Sequence, residues 1–197
     1  MKASRKSSII LLGLIALLIL SACTPKVSTK DWKVFTISEE PAINIQFRLP
    51  PDWYVDYTPK IDLPGQWDVA LVPPRCASDQ PADFVDYCIT LTIHLKETSG
   101  FDKTGFLALA SQSITLNQSG TEKTIMMGQN TFDVDGLTFQ RYNHKFLIGE
   151  DEVQMSFLFF ETDSAYYVFV TELPYDEREG DVATLLDLMI GSIEVIE

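Results

Sequence analysis

The sequence predicts an α+β fold in which an antiparallel sheet has helices on both faces. Several segments alternate strictly between apolar and polar residues, which is typical of half-buried strands. The connections between the later strands are short, and short connections favour antiparallel pairing. Two other segments place apolar residues at helical spacing. Two strands are apolar on both faces, and such strands need cover from both sides.

The first two strands are predicted as a hairpin over residues 32–49. DWKVFTI leads into the turn Ser38-Glu39-Glu40-Pro41, and AINIQFRL returns with its apolar side chains on one face. WDVALV at residues 67–72 and CITLTIHL at residues 88–95 are the next candidate strands. The order of the strands in residues 50–95 does not follow from this pattern.

The C-terminal half is predicted as a meander of antiparallel strands. Asp135-Gly136 is a strong hairpin turn between a short strand at residues 131–134 and a long one at residues 137–148. Short turns then lead into strands at residues 153–160 and 166–171. MSFLFF and YYVFV, which lie in these last two strands, are apolar on both faces.

Two helices are predicted to cover the sheet. The first spans residues 104–116, with Asp102 or Thr104 as its N-cap. The second spans residues 181–193, and Asp181 suits its N-terminus because the helix dipole favours a negative charge there. Gly191 is expected to end this helix, and residues 192–196 then form a last edge strand.

The N-terminus is predicted to be a signal peptide over residues 1–22. Three basic residues precede an apolar run at residues 9–20, which is shorter than the roughly 20 residues a membrane-spanning helix needs. Leu20-Ser21-Ala22-Cys23 resembles the lipobox of bacterial lipoproteins. The resemblance implies cleavage before Cys23 and attachment of a diacylglycerol, with its palmitate-like chains, to the Cys23 sulfur. The alternative is an ordinary secretory signal in which Cys23 is incidental.

A lipidated Cys23 implies a protein that is anchored to a membrane on the extracytoplasmic side. Residues 23–31 would then be the lipidated cysteine and a short tether, and residues 32–197 a single domain. Thr24 in place of Asp resembles an outer-membrane address in Gram-negative bacteria. In other bacteria the anchor would lie in the outer face of the cell membrane.

Charge and cysteine usage limit the partners of the mature chain. Without residues 1–22 the chain has 12 basic and 28 acidic residues, a net charge of −16. This charge argues against nucleic acid and against anionic lipid headgroups, whereas it suits solubility, cationic partners or divalent metals. Cys76 and Cys88 are predicted to form a disulfide, because an exported compartment is oxidising. Their spacing is not that of a redox CxxC pair, and two cysteines are too few for a zinc site.

No motif of catalysis or of cofactor binding is present, so the chain is predicted not to be an enzyme and to hold no cofactor. His94 and His144 are predicted to be surface residues. The acidic run at residues 172–181 could supply oxygen ligands for Ca²⁺, or it could be a solvated loop. Its candidate ligands are Glu172, Asp176, Glu177, Glu179 and Asp181.

Four aromatic residues surround a proline-rich stretch and form a candidate surface for a partner. They are Trp53, Tyr54, Tyr57 and Trp67. Tryptophan and tyrosine are enriched at interface hot spots, but the same residues could instead fill the core under a loop.

The LPPDW segment, residues 49–53, resembles the LP-x-x-W corner near the start of PsbP-like domains. The final helix running into GSIEVI is similar to the end of those domains. The class includes PsbP subunits of photosystem II, DcrB-like bacterial lipoproteins and a Ran-binding import factor. The resemblance implies an α/β/α sandwich over residues 32–196. This chain departs from it by a loop between Cys76 and Cys88 and by the stretch YTPKIDLPGQW.

The resemblance also implies a non-catalytic role in binding or assembling other proteins. Together with the lipobox, it predicts a lipid-anchored cell-envelope protein with an envelope protein as its partner. The alternative is an envelope domain that binds a metal or a small ligand through the acidic loop at residues 172–181.

Overall fold

Ten strands and two helices make up the part of the chain that the computed structural model describes. The described residues are 27–39, 43–59, 64–73, 89–112, 122–148, 151–174 and 181–196. In chain order the elements are β1 (Lys33–Glu39), β2 (Ile43–Leu49), β3 (Tyr54–Pro59), β4 (Gln66–Val72), β5 (Ile89–Leu95), α1 (Lys103–Ala110), β6 (Glu122–Val134), β7 (Leu137–Ile148), β8 (Asp151–Glu161), β9 (Ala165–Pro174), α2 (Asp181–Ile190) and β10 (Glu194–Val195).

The strands form two antiparallel sheets. A seven-stranded sheet has the order β3-β4-β5-β9-β8-β7-β6, and a three-stranded sheet has the order β1-β2-β10. The predicted N-terminal hairpin is confirmed, since β1 and β2 pair from Lys33↔Leu49 to Glu39↔Ile43. The predicted C-terminal meander is confirmed as well, because β6 to β9 pair in sequence order. At its first turn, Asp135 and Gly136 both have positive φ (46° and 85°), as a tight hairpin turn with matching twist requires.

The first helix and two of the strands differ from the sequence prediction. β3 was not predicted, because Pro59 and the prolines around it suggested a loop; β3 is an edge strand, where a proline is tolerated. β6 has 13 residues instead of four, and its register shifts between Met126 and Gly128 as in a β-bulge. α1 has eight residues and ends at Ala110, and the backbone N–H of its C-cap, Ser111, donates to Leu107 O at 3.1 Å.

The second helix and the last strand agree with the prediction. Gly191 follows α2, and its N–H donates to Asp187 O at 2.9 Å. β10 then pairs with β2, and the Gln46 amide donates to a Glu194 carboxylate oxygen at 2.6 Å. The Ser192 hydroxyl accepts a hydrogen bond from Arg48 N at 2.8 Å. These contacts fix the C-terminal segment onto the small sheet.

The main core lies between the two sheets and is largely aromatic. A row of rings crosses four neighbouring strands of the large sheet, with centroids 4.5–5.4 Å apart: Phe132, Phe139, Phe160 and Tyr167. Phe47 of β2 meets Phe169 of β9 edge to face at 6.3 Å. α2 closes the same core with Leu186, Met189 and Ile190. Contacts of this kind add to the stabilisation from burial.

The other face of the large sheet is covered by α1 and the segment before it. Phe106 packs on Phe157 and Phe159, with centroids 6.2 and 6.1 Å apart. Of the two predicted N-cap candidates, Asp102 is the one that caps α1, and it accepts a hydrogen bond from Gly105 N at 3.1 Å.

A cluster of charges fixes the start of α1 to the end of β8. Glu161 pairs with Lys103, the first residue of α1, and with Lys96 at 2.8 Å. Burial raises the pKa of Glu161, but hydrogen bonds and charges from Lys103 and Lys96 outweigh it and leave this pKa below its ordinary value. The ion pairs therefore hold Glu161 in its charged form.

The predicted helical cover on both faces is not supported. One face is covered mainly by the three-stranded sheet, with α2 beside it. At 1.5 Å per residue the two helices are only about 12 and 15 Å long. Seven strands are roughly 29 Å across at the usual spacing, so short helices cannot cover such a sheet alone. None of the helices in the described residues is long and apolar enough to cross a bilayer.

Candidate binding site

The inner face of the large sheet changes from aromatic to polar along strands β7, β8 and β9. Asn143, Ser156 and Thr171 are directly paired neighbours on these three strands and form a polar row across them. Arg141 and Gln154 lie on the same face, at alternate positions. Polar side chains are unusual where a sheet faces its core, so they indicate a site rather than packing alone.

These residues line a cleft between the sheet and α2, with a volume of about 110 Å³. We define the polar cleft by six residues: Arg141, Asn143, Gln154, Ser156, Thr171 and Asp187. Its apolar wall is formed by Leu158, Phe169, Leu186 and Ile190. The cleft therefore has hydrogen-bonding groups on one side and the end of the hydrophobic core on the other.

Arg141 is held in one position by two contacts. A terminal guanidinium nitrogen donates to Asp187 Oδ1 at 2.6 Å, which links β7 to α2. The guanidinium carbon lies 5.3 Å from the centre of the Phe132 ring, within the range of a cation–π contact. The Arg141 side chain is 21% exposed and that of Asp187 is 60% exposed, so the pair forms the rim of the cleft.

The polar row is also hydrogen-bonded. The Ser156 hydroxyl donates to Asn143 Oδ1 at 2.5 Å. Because the Asn143 oxygen accepts this bond, the amide N–H groups of Asn143 remain as donors. A cleft of this volume has room for several waters or for the head group of one side chain. It is much smaller than the roughly 300–1,000 Å³ of a drug-sized ligand pocket.

The four aromatic residues suggested by the sequence do not share one surface. Trp53 is buried in the core, with 6% of its surface exposed, and Trp67 packs partly buried against the same core. Tyr54 is 62% exposed. Tyr57 lies in β3, and its side chain is outside the described residues. Of the three described side chains, Tyr54 alone offers a large exposed surface.

Most of the other predicted site residues lie outside the described part of the chain. These are Cys23, Cys76, Cys88, Asp176, Glu177 and Glu179. Glu172 lies in β9 and Asp181 begins α2, but their side chains are not described. Within the described ranges, no three His, Cys, Asp or Glu residues are grouped as a metal site would require. Lipidation, the disulfide and metal binding by the acidic loop stay predictions.

His144 is buried, so its prediction as a surface residue was wrong. It is 3% exposed, and its Nε2 donates to the carbonyl oxygen of Ala110, the last residue of α1, at 2.7 Å. Phe157 meets the ring edge to face at 5.6 Å. His144 therefore satisfies a helix carbonyl that would otherwise lack a partner, and its role is structural.

His94 is half-buried rather than on an open polar face. Its ring stacks on Phe101, with centroids 4.1 Å apart. Burial lowers the pKa of His94, and the negative charge of Asp68 partly opposes this effect. His94 is thus held mainly as the neutral ring at neutral pH.

Comparison with known proteins supports the fold of this chain and does not assign its function. No protein-family model matches the chain, and no curated protein matches it. Among solved structures, it is similar to cyanobacterial PsbP from Synechocystis, with a TM-score of 0.55 and 14% identity over 88% of this chain and 97% of that one. It is also similar to LpqN, which is involved in cell envelope biogenesis of Mycobacterium tuberculosis, with a TM-score of 0.50 and 12% identity over 85% and 93%. The predicted PsbP-like fold is therefore confirmed.

Substitution of the aromatic residues separates core from surface. Trp53→Ala is expected to lower the free energy of unfolding by about 3–5 kcal/mol, because it removes a large buried side chain. Tyr54→Ala is expected to change it by no more than about 0.5 kcal/mol. Urea unfolding followed by circular dichroism measures both. Equal losses in the two variants would contradict this assignment.

The lowered pKa of His94 predicts a loss of stability in mild acid. The unfolded chain, with an ordinary histidine pKa of about 6.5, binds a proton more readily than the folded protein does. The stability that the neutral His94 ring contributes is therefore fully present above about pH 6.5 and is lost as the pH falls through the folded-state pKa. Urea unfolding measures the free energy of unfolding at pH values from about 7 to 5. Over this range the His94→Gln variant should lose less of it than the unsubstituted chain. Both chains retain His144, so the difference reports on His94. Parallel pH profiles would show that His94 does not titrate differently on folding.

Proposed function

We propose that this chain, a PsbP-like domain behind a lipobox, is a lipid-anchored cell-envelope protein that binds a protein partner without catalysis. The observation that carries the binding role is the polar cleft. Its polar row lies on a sheet face that is elsewhere packed with aromatic side chains. Polar residues at these positions contribute less to the packing of the core than apolar residues would. A binding role explains why they are present.

The chemistry of the polar cleft suits binding rather than turnover. Its charges are Arg141 and Asp187, and they pair with each other. Its other groups are amides and hydroxyls, and the Ser156 hydroxyl donates to Asn143, an amide that cannot act as a general base. His144, the nearest histidine along β7, points to the opposite face of the sheet and binds a backbone carbonyl. The cleft thus offers fixed hydrogen-bonding groups and no activated nucleophile.

The surface around the cleft can supply the rest of an interface. A stable interface buries roughly 800 Å² on each partner, far more than this cleft provides. The edge strand β6 runs beside Arg141, and its Gln129, Asn130, Thr131 and Asp133 are exposed. We expect the cleft to receive one anchoring group while the edge of the sheet forms the polar rim.

The anchor is proposed from the sequence LSAC at residues 20–23. A diacylglycerol on Cys23 would bury two acyl chains, each contributing about 0.8 kcal/mol per CH₂, which is enough for stable attachment. The structural likeness to LpqN, a protein involved in cell envelope biogenesis, agrees with an envelope location. The anchor would lie in the outer membrane of a Gram-negative cell and in the outer face of the cell membrane elsewhere.

Cys23→Ser tests the anchor. The unsubstituted chain is expected in the membrane fraction, with a mass at Cys23 that includes a diacylglycerol. The Cys23→Ser chain is expected to lack the lipid and to keep the signal peptide, because lipobox cleavage requires the cysteine. Fractionation and mass spectrometry of the N-terminal peptide report both. An unsubstituted chain cleaved elsewhere and carrying no lipid would refute the anchor.

Site-specific photo-cross-linking in intact cells tests the binding face. Benzoylphenylalanine at position 130 lies on the same face as the paired Arg141, whereas at position 131 it lies on the opposite face. Both positions are exposed, so they form a matched pair one residue apart. A partner of defined mass is expected from position 130, at several times the yield from position 131. Equal yields, or no product from either position, would contradict binding at the cleft.

A further inference from the structure

We infer that the polar cleft binds an uncharged carboxamide, the head group of an asparagine or glutamine side chain on the partner. This inference rests on the proposed function and names the chemistry of the anchoring group. It follows from the charge, the hydrogen-bonding groups and the size of the cleft. Each of these excludes a different class of ligand.

Charge on this face is balanced locally. Arg141 of β7 pairs with Asp187 of α2 at 2.6 Å, and further along β7 Lys145 pairs with Glu152 of β8 at 2.6 Å. An incoming carboxylate would meet Asp187 at the rim, and an incoming guanidinium or ammonium group would meet Arg141. Either charge would also lose its hydration on entering a partly buried site. An uncharged polar group avoids both costs.

The cleft offers donors and acceptors side by side. Asn143 retains its amide N–H groups, because its oxygen already accepts from Ser156. Arg141 has more N–H donors than the one directed at Asp187. The second carboxylate oxygen of Asp187 and the carbonyl oxygen of Gln154 also line the cleft and are acceptors. A carboxamide has one accepting oxygen and donating N–H groups, so it matches both sets at once.

The volume of the cleft and its apolar wall are both suited to binding one side chain. The volume of about 110 Å³ suits a head group with a short aliphatic stem and does not enclose an oligosaccharide or a nucleotide. Leu158 and Leu186 lie at the wall, where the methylene groups of such a stem would pack. The inferred ligand is therefore a polar tip on an apolar stem.

Three small probes test the inference on the full-length chain in detergent micelles. Acetamide, acetate and methylguanidinium are titrated at matched ionic strength, and ¹⁵N NMR follows the Asn143 amide and the Arg141 Nε–H. Acetamide is expected to give saturable shifts at both groups, at about tenfold lower concentration than either charged probe. Tighter binding of acetate or methylguanidinium would overturn the inference. So would the absence of a saturable shift with acetamide.

A pair of matched substitutions locates the binding. Asn143→Asp keeps the acceptor for Ser156 and removes the amide donors, so it should weaken acetamide about tenfold. Asn44→Asp makes the same change on the small sheet, where the Asn44 oxygen accepts from the Ser38 hydroxyl at 3.2 Å and which lies outside the cleft and its rim, so it should leave acetamide binding unchanged. Equal effects would place the site elsewhere. The titration of the unsubstituted chain decides the question even if Asn143→Asp does not fold.

The photo-cross-linking tests the proposed function and the acetamide titration tests the carboxamide, so a negative result in one does not decide the other. A partner cross-linked from position 130 without any preference for acetamide would leave the proposed function in place and refute the carboxamide. Acetamide binding at Asn143 without a cross-linked partner would refute the protein partner and leave only the preference of the cleft for a carboxamide.

Discussion

Residues 157–160 of β8 and 166–170 of β9 are apolar on both faces of the sheet, and the rest of the architecture depends on covering both of them. Phe157 and Phe159 point to the side where α1 packs through Phe106. Leu158 and Phe160 point to the side where the small sheet and α2 close the core. Burying both faces places β8 and β9 inside the seven-stranded sheet, with β5 on one side and β7 on the other. The charge cluster at Glu161 and the C-terminal strand β10 then fix the two covering layers at their ends.

Much of this fold could be predicted, because local patterns specify strands, turns and caps. The Asp135-Gly136 turn, the Asp102 cap and the end of α2 at Gly191 each follow from the chemistry of a few neighbouring residues. The division into two sheets could not be predicted, since pairing between distant strands leaves no local signal. The same limit hid β3, whose proline is acceptable only because the strand lies at an edge.

The polar cleft could not be predicted for a related reason. FQRYNHKF alternates along β7, and either set of alternate residues could have faced the core. The structure turns Arg141 and Asn143 toward α2, and it buries His144 under the carbonyl of Ala110 on the other side. A histidine among polar neighbours suggests a surface position, so sequence reasoning misjudged it. Which residues of β7 are buried depends on which layer covers each face of the sheet and on where each covering helix ends.

The bulge in β6 has a consequence for the behaviour of the protein at high concentration. A straight edge strand of 13 residues would offer an unbroken row of backbone donors and acceptors to a neighbouring molecule. The register shift between Met126 and Gly128 divides that row into two shorter runs that a single incoming strand cannot follow. Sheet-to-sheet growth into fibrils needs such continuity along the edge. The irregularity in β6 is therefore expected to disfavour aggregation along the longest edge strand in the described structure.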